Sequence, residues 1–202
     1  MAKSQKRRAA LVKLSRNDWI REAGREIAYG GIGAVNVNTI ARNLGVTKGS
    51  FYWHFETRDD LLQAFLAEWR EQETLSVIDN IEKEGGTHRR RLERLAALAV
   101  RDIEPMLLAG RQELFVREWA IQDELAQKAV ESVDRLRTHY LVQLFVGMGL
   151  ARMRAVLHAN LLYTCLLGQM LIPEGSKDRA LVIRQMVKHL LDAAEAECAK
   201  RS

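Results

Sequence analysis

Only two prolines, Pro105 and Pro173, interrupt the 202 residues, so little in the chain breaks a helix. Alternating β-branched residues persist nowhere for more than a few positions, which removes the usual signal for strands. Cysteine is as scarce: Cys165 and Cys198 lie far apart, match no metal or redox spacing, and fit a reducing cytosol better than a secreted disulfide scaffold. No apolar run follows the basic N-terminal residues, so no signal peptide is expected. The uncharged stretch 155–172 approaches membrane-spanning length, but His158, Asn160, Thr164 and Gln169 make a buried helix the better reading. Catalytic signatures are missing as well. Gly147-x-Gly149 lacks the third glycine of a dinucleotide fingerprint, and no Walker motif, HExxH or nucleophile elbow occurs. The expectation is therefore a protein that is not an enzyme, with no cofactor, no metal and no membrane partner.

What is present is 48% hydrophobic content and an abundance of Ala, Leu, Glu and Arg, a mixture that favours an all-α fold. The formal charge of +5 is unevenly placed. Residues 1 to 60 carry eleven Lys or Arg against six Asp or Glu, while the remainder balances at twenty of each. Surplus charge confined to one segment points to a polyanion as partner for that segment. Residues 1–14 read as a basic arm, either a solubilising tail or a minor-groove arm.

Helix signals run the length of the chain. Ser15-Arg16-Asn17-Asp18 and Thr57-Arg58-Asp59-Asp60 both have the form of a capping box. Gly30-Gly31 ends the first helix, and short helices are expected over Val37–Leu44 and Lys48–His54. The helix opening at Thr57 is predicted to run toward Gly85-Gly86. Further on, breaks are predicted near Pro105, Gly110, Gly147–Gly149 and Pro173–Gly175. Long helices fall over 122–146 and 151–172, and a last one is capped by Ser176.

One stretch has a specific logic. In "IARNLGVTKGSFYWHF", Ile40, Ala41, Leu44 and Val46 share a face, Gly45 makes the turn, and Thr47 opens a second helix. Phe51 and Phe55, four residues apart, hold that helix to the core. Tyr52, Trp53 and His54 are left for the outside. Gly49 keeps the helix start bare, so that free amides could approach a phosphate. Lys48, Tyr52 and His54 can donate to phosphate oxygens, Trp53 can press on sugar or a thymine methyl, and Ser50 is short enough for a base edge. This is a helix-turn-helix pattern, whose second helix enters the major groove of double-stranded DNA.

Over about residues 15 to 65, with "IARNLGVTKGSFYWHF" at its centre, the chain resembles the tetracycline-repressor-like (TetR) transcriptional regulators. The resemblance implies a three-helix DNA-binding domain (15–60) and an all-helical effector-binding and dimerisation domain (61–202). It also implies a cytoplasmic homodimeric repressor on a palindromic operator, released by a small ligand. Thr47, Lys48, Gly49, Ser50, Tyr52 and His54 match the DNA-contacting helix and its flanks. Asn36 stands where Thr usually caps, Asn38 where Arg is common, and Arg58 where Lys is frequent. These three join Trp53 in the candidate DNA-binding set.

Beyond residue 65 the expectations rest on residue types alone. A hydrophobic or aromatic effector would lie among Arg101, Met106, Phe115, Trp119, His139, Tyr140, Met148, His158 and Tyr163, with Glu104 as a further polar anchor. Residues of each of these types are more often plain core. Asn160, Thr164 and Gly168 form a stripe suited to close helix contact. Together with Ile183, Val187, Leu190 and Leu191 they make a candidate dimer surface. Displacement of the helix opening at Thr57 would then couple effector to operator. An architectural helix-turn-helix protein with no effector is the alternative.

Overall fold

The computed structural model describes residues 14–99, 104–171 and 179–199, with ten α-helices and no strand among them. The N-terminal part, called the first domain below, comprises α1 (Arg16–Gly30), a 3-10 turn (Ile32–Ala34), α2 (Val37–Asn43), α3 (Lys48–Phe51) and α4 (Arg58–Arg70), so that α4 crosses the boundary expected at residue 60. α4 passes through a π-turn (Glu71–Leu75) into α5 (Ser76–Glu84). The body continues as α6 (His88–Ala99), α7 (Glu104–Ala120), α8 (Glu124–Gly147), α9 (Arg152–Leu171) and α10 (Arg179–Ala199).

The helix ends follow local chemistry. Thr57 Oγ1 accepts from Asp60 N (3.1 Å) while Thr57 N donates to Asp60 Oδ2 (2.9 Å), closing a reciprocal cap. At Ser15 both the amide (2.8 Å) and the hydroxyl (2.7 Å) donate to Asp18 Oδ2, which with Arg21 holds that carboxyl below its usual range. Three expectations are corrected. α3 stops at Phe51 rather than His54, because residues 52–54 tighten into turns. Gly110 lies inside α7 and breaks nothing. The helix from Thr57 does reach Glu84, but only through the wider turn at 71–75. The predicted cap Ser176 lies outside the described residues.

Two hydrophobic clusters fill the interior. The first gathers Trp19, Ile27, Ile40, Phe51, Leu61, Phe65 and Trp69 from the first domain with Val116, Ala126 and Val133 from α7 and α8. Each large side chain so enclosed contributes roughly 2 kcal/mol. The first domain thus shares its core with the body. Its seam with α7 is close: a Cβ added at Gly24 would sit 2.6 Å from Gln112 Nε2, and one at Gly31 3.2 Å from Phe115. The second cluster joins Leu92, Leu144, Phe145, Leu162, Ile183 and Leu191.

A chain of charged groups, half-buried around the fully buried Glu113, links α7, α8 and α9. Arg117 on α7 binds Glu113 (2.8 Å), Asp134 on α8 (2.5 and 3.1 Å) and the Tyr163 hydroxyl on α9 (3.1 Å). Tyr163 in turn donates to Asp134 (2.6 Å). Arg137 on α8 places Nη1 on both Glu113 oxygens (3.1 Å each), Nε on Thr74 Oγ1 (3.0 Å) and Nη2 on Glu73 O (3.1 Å). Burial works against the charge of Asp134, but the bonds from Arg117 and Tyr163 hold its carboxyl below the ordinary range. Burial pushes the Tyr163 phenol up to about 12. Removing one partner of Glu113 and Arg137 would strand a buried charge, at a cost of about 3–5 kcal/mol.

Beside this chain, burial lifts the Glu73 carboxyl above its ordinary range, Arg137 opposing and Glu113 adding. The fold therefore favours the protonated acid, and that stability is lost as pH rises through the folded-state value. Glu73→Gln should raise the melting temperature at pH 7, with the gain vanishing toward about pH 4. Thermal melts by circular dichroism at both pH values check this, and a larger gain in acid would contradict it.

Candidate nucleic-acid interface

The short α2 is capped by Asn36, whose Oδ1 accepts from Asn38 N (2.8 Å) and Thr39 N (3.3 Å). Gly45 turns the chain at φ 70°, in the left-handed region where a side chain would be strained. Val46 N returns to Ala41 O (2.9 Å), locking the corner between α2 and α3. Asn43, on the far end of α2, donates to Glu22 (2.8 Å) and Glu26 (3.0 Å) and so ties α2 to α1.

Four residues make up α3, and its aim is set by what it buries. Phe51 is 1% exposed; the edge of Trp19 meets it at 5.4 Å, and Phe55 stacks on it at 5.5 Å. The Arg16 guanidinium lies over the Phe55 ring, 4.6 Å from its centroid. With that face filled, Tyr52 is 56% and Trp53 88% exposed. Thr47, Lys48 and Gly49 are exposed at the start of the helix, and Ser50 is half-buried. His54, half-buried, tilts 6.4 Å from the Trp19 ring.

Thr47 has the extended backbone of a cap but makes no side-chain capping bond. Its hydroxyl is thus left at the surface. A single turn also has little macrodipole, so an anion here would be held by amides and side-chain donors. Asn36, Asn38, Lys48 and Tyr52 share the wall of an open groove of about 430 Å³ between α2 and α3. Arg58 reaches the same groove, but its guanidinium is engaged inward, Nε on Val35 O (2.8 Å) and Nη2 on Ile32 O (2.6 Å). It tethers the segment leading into α2.

The residues expected to line an effector pocket divide between the two clusters. Phe115 and Trp119 pack against the first; Tyr140, Met148 and Tyr163 belong to the second. His158 is buried between Phe145 (5.6 Å) and Glu197 (3.3 Å). Tyr140 donates to Glu82 (2.5 Å), and His139 is exposed. Arg101 and the side chains of Glu104 and Met106 lie outside what the structure describes.

The candidate dimer surface needs correction on α10. Ile183, Val187 and Leu191 are buried by the chain's own α6 and α9, and Leu190 packs beside them. The apolar face that α10 leaves open is Leu181, Val182 and Met186. On α9, Asn160 and Thr164 are exposed as expected and Gly168 is half-buried; Met153, Leu157 and Leu161 are exposed beside them. Their spacing of four was the available sequence signal, hidden by the equally apolar inner face. No described helix is long and apolar enough to cross a membrane, and the described residues hold no group of three His, Cys, Asp or Glu placed for a metal.

Residues 20–65 match the family model described as bacterial regulatory proteins, tetR family. No curated protein matches the chain. Among solved structures, a TetR-family transcriptional regulator from Agrobacterium tumefaciens superposes with a TM-score of 0.73 at 18% identity, covering 86% of this chain and 96% of that one. The Bacillus subtilis transcriptional regulator FadR, solved with stearoyl-CoA, gives 0.65 at 18% identity, over 87% and 97%. A regulator structure from Saccharomonospora viridis in complex with choline gives 0.70 at 18%, over 88% and 95%. At these identities the likeness is one of fold.

Stability measurements should separate the core of this surface from its outer face. Phe51→Ala should destabilise by about 3–5 kcal/mol and Arg58→Ala by roughly 1–2 kcal/mol, the latter through its freed carbonyls. Trp53→Ala should stay within about 0.5 kcal/mol of the parent. Denaturant titration reads all three, and a strongly destabilising Trp53→Ala would place that ring in the core.

Proposed function

We infer that this chain, whose residues 20–65 match the family model described as bacterial regulatory proteins, tetR family, is a homodimeric, sequence-specific DNA-binding regulator of transcription. It acts in the cytoplasm as a repressor, binds a palindromic operator, and is released by a small hydrophobic or aromatic effector. The observation that carries this reading is the division of labour among neighbouring rings. Phe51 and Phe55 fill the core, while Tyr52 and Trp53 stand in solvent and Lys48 and Gly49 are exposed at the helix start. Packing turns position 53 outward, and a large apolar ring standing there gains nothing from the fold but suits a DNA backbone.

In this reading Lys48, Tyr52 and His54 donate to phosphates, with Thr47 adding its free hydroxyl. Ser50 and Asn38 face base edges, and Asn36 positions the start of α2. Arg58 acts indirectly, by holding the loop before α2 in place. One recognition element of a single turn offers little specificity alone, so two are needed. The exposed apolar side chains of α9 and α10 supply a surface for a second copy, since Leu157, Leu161, Val182 and Met186 would otherwise face water. An effector seated among α7, α8 and α9 would displace α4 and change the spacing of the two recognition elements. The ligands in the Bacillus and Saccharomonospora structures support a body of this fold able to hold small molecules.

Selection of bound duplexes from a random pool tests the proposal. An inverted repeat with half-site centres about 34–36 Å apart is expected, and a site without symmetry would remove the dimer. Lys48→Ala should weaken every selected duplex alike, whereas an altered base preference would make Lys48 a reader of sequence.

A further inference from the structure

The helix that joins the two halves of the molecule is not uniform. α4 and α5 are separated by the π-turn at Glu71–Leu75, where Ser76 N reaches back five residues to Glu71 O. Such wide turns are rare and are frequently found at functional sites. This one lies at the root of α4, which carries Leu61, Leu62, Phe65 and Leu66 into the core of the first domain.

A single side chain from the body grips the turn. Arg137 donates Nε to Thr74 Oγ1 and Nη2 to Glu73 O, and its charge is met by both oxygens of the buried Glu113. Its guanidinium carbon also lies 5.9 Å from the ring centroid of Trp69, the last buried residue of α4. Glu113 in turn binds Arg117, which binds Asp134 and Tyr163. Tyr163 belongs to α9, whose outer face carries Leu157, Leu161 and Thr164. One continuous run of hydrogen-bonded groups therefore leads from α9 through α7 and α8 to the root of α4.

We propose that the π-turn is the joint through which the helical body sets the pose of the DNA-binding domain, and that Arg137 is the positioning residue that latches it. The proposal rests on the DNA-binding reading above. Narrowing the turn to a regular one would re-index α4 against α5 by one residue, about 100° of rotation and 1.5 Å of rise. The close seam between α1 and α7 blocks a full step of that kind, so the accessible motion is partial opening of the turn. An effector or subunit contact that shifts α7, α8 or α9 acts on the turn by loosening Arg137. Direct contact with α4 is not required.

The test pairs backbone exchange with duplex binding. Thr74→Val keeps the shape of Thr74 and removes the acceptor for Arg137, while Thr74→Ser keeps the acceptor. A double variant, R137M with E113L, removes both buried charges together and so strands neither. Hydrogen exchange of amides 71–76 should accelerate at least tenfold in Thr74→Val and in the double variant, and return toward wild type in Thr74→Ser. Affinity for the selected duplex should fall at least fivefold in step, with α2 and α3 amides as protected as in wild type. Unchanged exchange overturns the latch, and faster exchange with unchanged affinity overturns the joint. Wild-type protein that binds no duplex would sink the DNA-binding reading instead, and the exchange measurements would still judge the latch.

Discussion

Phe51 under the edge of Trp19 is the interaction on which the exterior of the first domain depends. A helix of four residues has no length with which to orient itself; it points where its one buried side chain allows. Trp19, fully enclosed, fixes the Phe51 ring from one side, and Phe55 stacks on the other. Once these three rings have packed, the outward direction of Tyr52 and Trp53 follows without any further bond. The unusual exposure of the indole is thus a geometric consequence of a well-packed neighbour.

The same packing makes the two-domain description partly formal. Val116, Ala126 and Val133 from the body close the core of the first domain, and α1 touches α7 along glycines. An apolar interface of this kind resists separation but tolerates small slides, because it has no directional bonds to break. Direction comes from the polar chain around Arg137, which has discrete partners and so can be made or broken. The body therefore supports the first domain through apolar contact and orients it through charge.

Much of this was legible in the sequence, and the misses have physical causes. The helix-turn-helix could be read from Gly45, Thr47 and the spacing of Phe51 and Phe55, because local chemistry determines a turn and a one-turn helix. Helix ends at Gly30-Gly31, Thr57 and Gly147–Gly149 were equally local. Gly110 misled because glycine only weakens a helix whose flanks are well packed. On α10, the periodicity of Ile183, Val187 and Leu191 correctly marked a buried face. Periodicity cannot say whether a face is covered by the same chain or by another, and here α6 and α9 cover it. Arg58 looked like a DNA-binding residue because the positions of the backbone carbonyls it binds are set only by the fold. The Arg137–Glu113 pair was invisible for the same reason, since its members sit on different helices and resemble any surface charge in a helical chain.

The charge chain has one more consequence. Its inner pair, Arg137 and Glu113, is enclosed by the protein, where screening is weak, whereas Arg117 and Asp134 are partly exposed. Contact with a polyanion at the surface instead depends on displacing counterions and fades steeply as electrolyte is added. Ionic strength thus acts on the outer grip while leaving the internal linkage intact. A body that has lost its duplex in concentrated electrolyte would still hold α4 as it does in dilute buffer.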